Sequence, residues 1–339
     1  MSILERGTIL VTGGAGFLGS ALVWALNRRG YERILIADFL GHSEKWRNLA
    51  PLRFLDYLEA DDLLRAVESD AAKLQDVSAV FHLGACSSTT ETDAAYLIRN
   101  NFQYTAKLAE WALRHHPQRR FVYASSAATY GALESGLSES IDLASLRPLN
   151  MYGYSKQLFD QHAARHGYLD RIVGLKYFNV FGPNEQHKGD MRSMVLKAFE
   201  QIRQSGRVKL FKSYRPAFKD GEQRRDFVYV KDAIDVTLHL AESVKSGGLF
   251  NVGSGRAHTW IDLATAVFEA MEQPVAIDFI EMPEAIRSNY QYSTVATLTR
   301  LRESGYSHEF MPLKEAVADY VREYLLPGRR LGDEVEVTR

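Results

Sequence analysis

Three glycines at three-residue spacing, Gly13, Gly16 and Gly19, constrain the fold of this chain more than any other feature of its sequence. The apolar residues 9–11 before them predict a short buried strand, and apolar residues recur at helical spacing from 17 to 26. The glycines therefore stand where a strand turns into a helix. Because they carry no side chains, the backbone there can approach a pyrophosphate, and the free N–H groups at the helix start would face its negative charge.

An acidic residue closes the next predicted strand, 34–38. Asp38 follows the glycines by about 20 residues, the spacing at which a carboxylate holds a ribose hydroxyl of a bound dinucleotide. A glycine motif alone also occurs in ordinary strand–helix turns, but the two features together predict a dinucleotide-binding site. Strands and helices alternate through the first half of the chain, so we expect an α/β fold with a doubly wound parallel sheet.

The composition excludes several classes of protein. Of the 339 residues, 46% are hydrophobic and 24% charged, as in a soluble globular protein, and a net charge of −1 gives no attraction for nucleic acid or an anionic membrane. The single cysteine, Cys86, excludes an internal disulfide and fits a reducing compartment. No apolar run is long enough to span a membrane, no secretory signal opens the chain, and no histidine spacing predicts a metal site. We therefore expect a cytoplasmic protein without a metal.

The second half of the chain changes character. Turn-forming residues follow a predicted strand near 178, the basic stretch 209–225 is expected to form a long loop, and 275–280 predicts a late strand. We expect a large cofactor domain and a smaller α/β substrate domain. The predicted bounds are 1–180 with about 226–255 for the dinucleotide-binding domain, about 181–225 with 256–328 for the substrate-binding domain, and 329–339 for a charged, frayed tail.

A tyrosine and a lysine four residues apart, Tyr152 and Lys156, share one face of a predicted helix. A nearby ammonium favours the phenolate and would lower the pKa of Tyr152 from ~10 towards neutrality, as a general base for an alcohol proton requires. Tyr154 has no lysine at that spacing. The strand before this helix ends in Ser125 and Ser126, and a hydroxyl there could bind the substrate oxygen. We place this role on Ser126 and expect Ser125 to satisfy the backbone.

Two basic features leave alternatives open. Lys188 follows a proline turn and is interpreted either as a solvated loop lysine or as a group in the site. Arg225, within Arg224-Arg-Asp226, is interpreted either as a phosphate clamp or as the charged edge of a strand. Cys86 lacks a basic activator, so we do not expect a nucleophile there.

Longer motifs carry a family resemblance that covers about residues 8–325. They are the glycine motif and Tyr152-x-x-x-Lys156, together with 84–91 (GACSSTTE), 123–131 (YASSAATYG), 148–156 (PLNMYGYSK), 178–183 (FNVFGP), 187–189 (HKG), 225–230 (RDFVYV) and 289–291 (NYQ). This set resembles the extended short-chain dehydrogenase/reductases that act on nucleotide sugars, and more narrowly the ADP-L-glycero-D-manno-heptose 6-epimerases.

The resemblance implies an epimerase that oxidises carbon 6 of ADP-heptose transiently. Its implied cofactor is bound NADP, with NAD as the alternative. The implied product supplies heptose for the lipopolysaccharide core. The resemblance also implies a homo-oligomer, typically a pentamer. Two other functions remain open: a UDP-hexose 4-epimerase, in which one tyrosine serves both faces of the sugar, and an inactive dinucleotide-binding regulator. Ala127 and Ala128 argue against a 4,6-dehydratase, which needs an Asp-Glu pair after Ser126.

The resemblance also assigns site residues by motif. Those at the cofactor are Gly13, Gly16, Phe17, Leu18, Gly19, Asp38, Phe39, Lys45, Leu83, Gly84, Ala85, Cys86, Ser87, Asn100, Lys156 and Val180. Those with catalytic roles are Tyr152, Lys188, Ser126 and Lys156. Those facing the nucleotide sugar are Ser126, Asn179, Lys188, Phe211, Lys212, Ser213, Tyr214, Arg225 and Tyr290.

The chain departs from this family pattern at four positions. Phe39 replaces a polar residue, Ala60 a lysine that often contacts the cofactor phosphate, Asp190 a serine and Lys197 a histidine. The resemblance places Asp38 at the adenosine ribose and Lys45 near the 2′-phosphate of NADP. Because Asp38 repels that phosphate, only Lys45 is left to offset the repulsion.

Overall fold

Seven parallel strands form the central sheet of this protein, whose computed structural model describes residues 3–115, 119–243, 247–287 and 290–333. The strands are β1 (Thr8–Thr12), β2 (Ile34–Asp38), β3 (Asp56–Glu59), β4 (Val77–His82), β5 (Arg120–Ser126), β6 (Val173–Tyr177), β7 (Asn179–Phe181), β8 (Val208–Phe211), β9 (Arg224–Tyr229), β10 (Gly248–Val252), β11 (Ala257–Thr259) and β12 (Ile277–Ile280). The helices are α1 (Phe17–Arg28), α2 (Trp46–Leu49), α3 (Ala60–Glu68), α4 (Ala94–Leu97), α5 (Tyr104–His115), α6 (Met151–Arg165), α7 (Met194–Ser205), α8 (Val230–Glu242), α9 (Trp260–Ala270), α10 (Glu284–Arg287), α11 (Thr299–Glu303) and α12 (Leu313–Asp319).

The strand order is β3-β2-β1-β4-β5-β6-β10. From β1 the chain adds β2 and β3 on one side and the later strands on the other, so the direction in which the sheet grows reverses between β1 and β4. The predicted doubly wound parallel sheet is thereby confirmed. Alternate residues of each strand point to opposite faces of the sheet, and helices cover both faces. Ile9 and Val11 pack in the same core as α1 and α8, and Leu10 packs in the core that contains α3 and α5. In such sheets ligands bind at the carboxyl ends of the strands, beside the reversal.

Two smaller sheets lie outside the central one. Strands β7, β9 and β11 form the first, and β8 pairs in parallel with β12 in the second. The prediction of a loop over 209–225 is therefore wrong at its start, because Val208 and Leu210 are buried and pair with β12. The predicted late strand is present as β12. Residues 226–229, which the sequence assigns to the cofactor domain, pair with β7 and β11 instead of the central sheet. The domain bounds themselves stay predictions.

The last described residues, 329–333, contradict the expectation of a frayed tail. Leu331 is fully buried, and its backbone N–H donates to Asn184 Oδ1 at 3.1 Å. Residues 334–339 lie outside the described residues, as does Asn289 of the family motif. Across the described residues, no helix has the length and apolar character needed to cross a membrane.

Candidate active site

One cavity of about 1610 Å³ opens at the carboxyl ends of the central strands. Gly13 after β1, Asp38 of β2, Leu83 after β4 and Ser126 of β5 line one part of it. Phe211 of β8, with Trp260 and Leu263 of α9, lines another part. The cavity therefore joins the glycine-rich turn to residues of the second half of the chain.

The glycine-rich turn needs a glycine at position 13, where its backbone passes close to the segment that follows β4. Gly13 has a φ of 67°, and a Cβ atom there would lie 2.5 Å from the backbone nitrogen of Gly84. Helix α1 begins after Gly16 without a side-chain cap, and Gly16, Phe17 and Leu18 line the cavity. Uncapped N–H groups at a helix start bind anions well, so this turn fits the pyrophosphate of a dinucleotide.

The carboxylate of Asp38 holds the segments around this turn together. It is buried and accepts hydrogen bonds from the backbone N–H groups of Ala15 at 2.9 Å and Phe39 at 2.7 Å. The ammonium of Lys45 lies 2.7 Å from the same carboxylate, and both side chains line the cavity. A cation thus stands beside the position where the sequence predicts the adenosine ribose.

Helix α6 brings Tyr152 and Lys156 to the cavity wall. Its first turn is capped by Asn150, whose side chain accepts the N–H of Gly153 at 2.8 Å. Lys156 Nζ donates to the carbonyl of Ala124 at 2.9 Å, and burial lowers the pKa of Lys156 to about 8. The helix therefore presents a phenol and a buried amine side by side.

The expectation that Lys156 lowers the pKa of Tyr152 is wrong in this structure. Burial raises the pKa of the Tyr152 phenol, and a hydrogen bond with Ser126 lowers it by a smaller amount. The physical reason is that desolvation disfavours the phenolate, while the ammonium of Lys156 is engaged by the Ala124 carbonyl.

The two serines at the end of β5 differ in their partners, and the expectation that Ser125 satisfies the backbone is wrong. Ser125 Oγ donates to the buried carboxylate of Asp160 at 2.8 Å, so it has a structural partner. Ser126 Oγ accepts the N–H of Ala128 at 3.1 Å and also contacts the phenol of Tyr152. Only Ser126 is therefore placed beside the tyrosine.

Lys188 is not a solvated loop lysine. Its side chain is partly buried and lines the cavity, with Nζ 5.1 Å from the centre of the Phe17 ring. Burial lowers the pKa of Lys188, while the carboxylate of Glu185 raises it. The amine therefore lies beside the start of α1, next to the glycine-rich turn.

Arg225 faces the cavity at its other end. It is buried, and its guanidinium lies 5.1 Å from the Tyr290 ring and 5.6 Å from the Trp260 ring. The neighbouring Arg224 is exposed, and Asp226 is buried and accepts backbone N–H groups. This arrangement agrees with an Arg225 side chain that points into the site, and it disagrees with the interpretation of Arg225 as the charged edge of a strand.

The comparisons with known proteins decide the family. Residues 9–253 match the model of the NAD dependent epimerase/dehydratase family. This chain belongs to that family. It is an epimerase, and its cofactor is a nicotinamide dinucleotide.

Two relatives cover nearly the whole epimerase. One, from Nitratidesulfovibrio vulgaris, is 50% identical over 317 residues, which are 93% of this chain and 97% of the relative. The other, from Fusobacterium nucleatum, is 44% identical over 327 residues, 94% of this chain and 98% of the relative. Both are named ADP-L-glycero-D-manno-heptose-6-epimerase. A crystal structure of the Helicobacter pylori protein of that name is 28% identical, with a TM-score of 0.78 and coverage of 95% of this chain and 97% of that one.

The structure brings most of the predicted site residues of this epimerase to the cavity, but five do not line it. These five are Phe39, Asn100, Lys212, Ser213 and Tyr214. Phe39 is 47% exposed. Asn100 hydrogen-bonds Tyr96, Lys212 pairs with Glu281 at 2.7 Å, and the hydroxyl of Tyr214 donates to Glu281. Their assignments rest on the family resemblance and stay predictions.

Among the residues that the sequence did not predict, two hold predicted site residues of the epimerase in place. Asn101, next to the predicted Asn100, donates to the backbone oxygen of Cys86 and accepts its N–H, each at 2.9 Å. Trp260 lines the cavity, and its Nε1 donates to the hydroxyl of Tyr290 at 3.0 Å. A paired asparagine in a helix and a tryptophan at a helix start gave no local signal of these contacts.

Proposed function

We propose that this epimerase interconverts ADP-D-glycero-D-manno-heptose and ADP-L-glycero-D-manno-heptose by transient oxidation at carbon 6, with NADP as cofactor. One observation carries the proposal: Tyr152 and Lys188, two groups able to move a proton, line the same cavity as the glycine-rich turn. The names of the two closely similar relatives support the substrate. The heptose product would serve the lipopolysaccharide core. A cytoplasmic pentamer stays a prediction.

The chemistry of carbon 6 explains why a dinucleotide is needed. That carbon has no acidifying neighbour in the substrate, so direct removal of its proton would be too slow. When bound, NADP would supply the hydride acceptor and donor that carbon 6 needs. The rest of the reaction is proton handling and orientation, which are tasks for side chains.

Several residues are arranged to hold the cofactor. The N–H groups at the start of α1 would hold the pyrophosphate, next to Phe17 and Leu18, which line the cavity. Asp38 lies where a ribose is expected, and Lys45 adds a positive charge there for a 2′-phosphate. This charge is the reason to prefer NADP over NAD.

Proton transfer on one face of the sugar is assigned to Tyr152. Its hydroxyl contacts Ser126, so both can reach one substrate oxygen. Lys156, with a pKa lowered to about 8, still carries a proton in most molecules at neutral pH. Its positive charge lies one helical turn from the phenol that must ionise.

Proton transfer on the other face is assigned to Lys188. Burial favours the neutral amine, the form that accepts a proton. Unless one tyrosine serves both faces, the return of hydride to the opposite face of the ketone needs a second group that moves a proton, and Lys188 faces the cavity from a different segment than Tyr152. Arg225 would bind the ADP phosphates, because guanidinium groups pair well with phosphate oxygens.

The experiment is incubation of the purified protein, without added cofactor, with ADP-D-glycero-D-manno-heptose, followed by NMR of the two epimers. Conversion to the L-glycero epimer supports the proposal. UDP-glucose serves as the matched control, because a hexose 4-epimerase would convert it to the galactose epimer and leave the heptose unchanged. Turnover of neither sugar would refute both substrate assignments.

A further inference from the structure

Asn48 is a buried amide that connects three separate segments of the chain, with a side chain 2% exposed. Its Nδ2 lies 3.0 Å from the carbonyl of Ala15, in the glycine-rich turn, and 3.1 Å from that of Asn184. The same nitrogen lies 3.3 Å from Nδ1 of His187. Its Oδ1 accepts Nε–H of Arg330, from the last described segment, at 3.1 Å.

The chemistry of these partners fixes which way the amide points. Backbone carbonyls only accept hydrogen bonds, so the nitrogen of Asn48 must face them, and Arg330 only donates, so the oxygen must face it. Both N–H groups of the amide are then used by the carbonyls of Ala15 and Asn184, and Nδ1 of His187 lies beside the same nitrogen. The His187 ring is neutral at pH 7, because burial and the charges of Lys45 and Lys188 lower the pKa of His187 to about 4.

Lys188 follows His187 directly, in a short turn that is fixed at both ends. Its backbone N–H donates to the carbonyl of Glu185 at 3.0 Å, and the carboxylate of Glu185 accepts Oγ–H of Ser193 at 2.6 Å. The amine of Lys188 lies 5.1 Å from the centre of the Phe17 ring, at the start of α1. The lysine thus reaches over the glycine-rich turn, and its own loop is attached to that turn elsewhere, through Asn48.

We propose that Asn48 is a positioning residue that ties the loop of Lys188 to the glycine-rich turn and so fixes the Lys188 amine relative to the bound cofactor. The inference rests on the proposed function of Lys188. Asn48 is not among the described residues that line the cavity, so it acts through its neighbours and does not touch the reacting atoms. A displacement of about 1 Å in a proton-transfer group typically costs about 10²-fold in rate, which sets the size of the expected effect.

Asn48→Asp tests this with little change in shape. The carboxylate still accepts from Arg330 but can no longer donate to the carbonyls of Ala15 and Asn184. The matched control is Asn27→Asp, because the amide of Asn27 is also buried and donates to two carbonyls, of Tyr31 at 2.9 Å and Arg53 at 2.8 Å. That site lies at the end of α1, away from Lys188. If Asn48→Asp does not fold, Asn48→Ala takes its place.

With the holoenzyme, Asn48→Asp should lower kcat by about 10- to 100-fold and change KM for the sugar nucleotide by less than about twofold. Amide hydrogen exchange should become faster in a peptide covering 184–191. Asn27→Asp should leave kcat and that peptide unchanged. If Asn48→Asp shows the same kcat and the same hydrogen exchange in that peptide as Asn27→Asp, the inference is overturned.

A double variant separates action through Lys188 from action through the cofactor turn. In a Lys188→Met background, Asn48→Asp should lower the residual rate by less than about twofold, because residues that act as a unit are not additive. A full loss in that background would show that Asn48 acts elsewhere and would overturn the inference. If the wild-type protein epimerises no ADP-heptose, the proposed function fails instead, and the two failures are distinguished.

Discussion

The carboxylate of Asp160 lies 3.0 Å from the ammonium of Lys176, and both side chains are completely buried beneath the catalytic strand end. Asp160 also accepts the hydroxyls of Tyr123 and Ser125, each at 2.8 Å, and Lys176 donates to Thr129 at 2.5 Å. Asp160 stands one helical turn after Lys156 on α6. The pair therefore ties α6, β5 and β6 together directly below Ser126 and Lys156.

Replacing Asp160 by Asn should destabilise the protein strongly. The substitution leaves the Lys176 ammonium buried without its counter-charge, which typically costs about 3–5 kcal/mol. Urea unfolding measures the loss. The matched control is Asp278→Asn, which removes an exposed carboxylate 2.7 Å from Arg207 and should change the free energy of unfolding far less, because water screens that pair. Equal losses in the two variants would contradict a structural role for the buried pair.

Replacing Tyr152 by Phe should lower kcat by about 10²–10⁴-fold, because it removes the hydroxyl that moves the proton and nothing else. Cofactor binding should persist. Since burial raises the pKa of Tyr152, the wild-type rate should also increase with pH on the alkaline side, and this increase should vanish in the variant. Tyr154→Phe is the control, since Tyr154 is 45% exposed and should tolerate the change. More than half of the wild-type rate in Tyr152→Phe would refute the assignment.

Replacing Lys45 by Ala should weaken NADP and leave NAD within about twofold. The cation lies 2.7 Å from Asp38, and without it a 2′-phosphate would meet an unbalanced carboxylate. A charge pair of this partly buried kind is worth about 1 kcal/mol to a few, so we expect at least a roughly fivefold loss for NADP. Titration of the protein with each reduced cofactor, followed by fluorescence, gives both affinities. Lys107→Ala, which removes an exposed lysine paired with Glu68, should change neither. Equal losses for both cofactors would mean that Lys45 does not contact the phosphate.

Replacing Lys188 by Met should slow epimerisation by orders of magnitude with only a moderate loss of ADP-heptose binding. Methionine keeps an apolar stem against Phe17 but cannot move a proton. Such a variant should still dismutate an ADP-mannose 6-aldehyde analogue, a reaction that needs one base only, and the alcohol and acid products can be separated. Epimerisation near the wild-type rate would mean that Tyr152 alone serves both faces.

The part of the site that follows directly from sequence is the part made by neighbours along the chain. The glycine-rich turn, Asp38 and the pair Tyr152 and Lys156 are each defined by spacing within one or two elements, and the structure places all of them at one cavity. The sequence could not predict Asn48, because its partners come from segments up to 282 residues away. The same holds for the burial of Leu331.

Electrostatic predictions from sequence were weaker than geometric ones. The helical spacing of Tyr152 and Lys156 gave the right positions, yet the pKa of the phenol is raised instead of lowered. The sign depends on how much water reaches the phenol and on which group binds the ammonium. Both follow from packing of α6 against β5, and neither is encoded in the spacing of two residues.

A buried histidine at the end of β4 should make the stability of this protein depend on pH. His82 is 2% exposed, and its Nδ1 and Nε2 lie 2.6 Å and 2.8 Å from the hydroxyls of Thr12 and Thr105. Thr105 donates its own proton to the carbonyl of Asn101, so it accepts from Nε2–H, and Nδ1 accepts from Thr12. Both ring nitrogens are thereby satisfied in the neutral ring.

Protonation of His82 should therefore unfold the protein at acid pH. Burial, and to a smaller degree the charge of Lys156, lowers the pKa of His82 to about 3, against about 6.5 in an unfolded chain. A lowered folded-state pKa means that the contribution is fully present above about pH 6.5 and is lost as the pH falls towards 3, by about 1.4 kcal/mol per pH unit. Denaturant unfolding measures the free energy of unfolding at pH 7 and at pH 5. Between these pH values it should fall by about 2 kcal/mol less in His82→Gln than in wild type. His308→Gln, in which the replaced ring is 71% exposed, should keep the wild-type loss. The same loss in His82→Gln as in wild type would place the acid sensitivity on other groups, His187 among them.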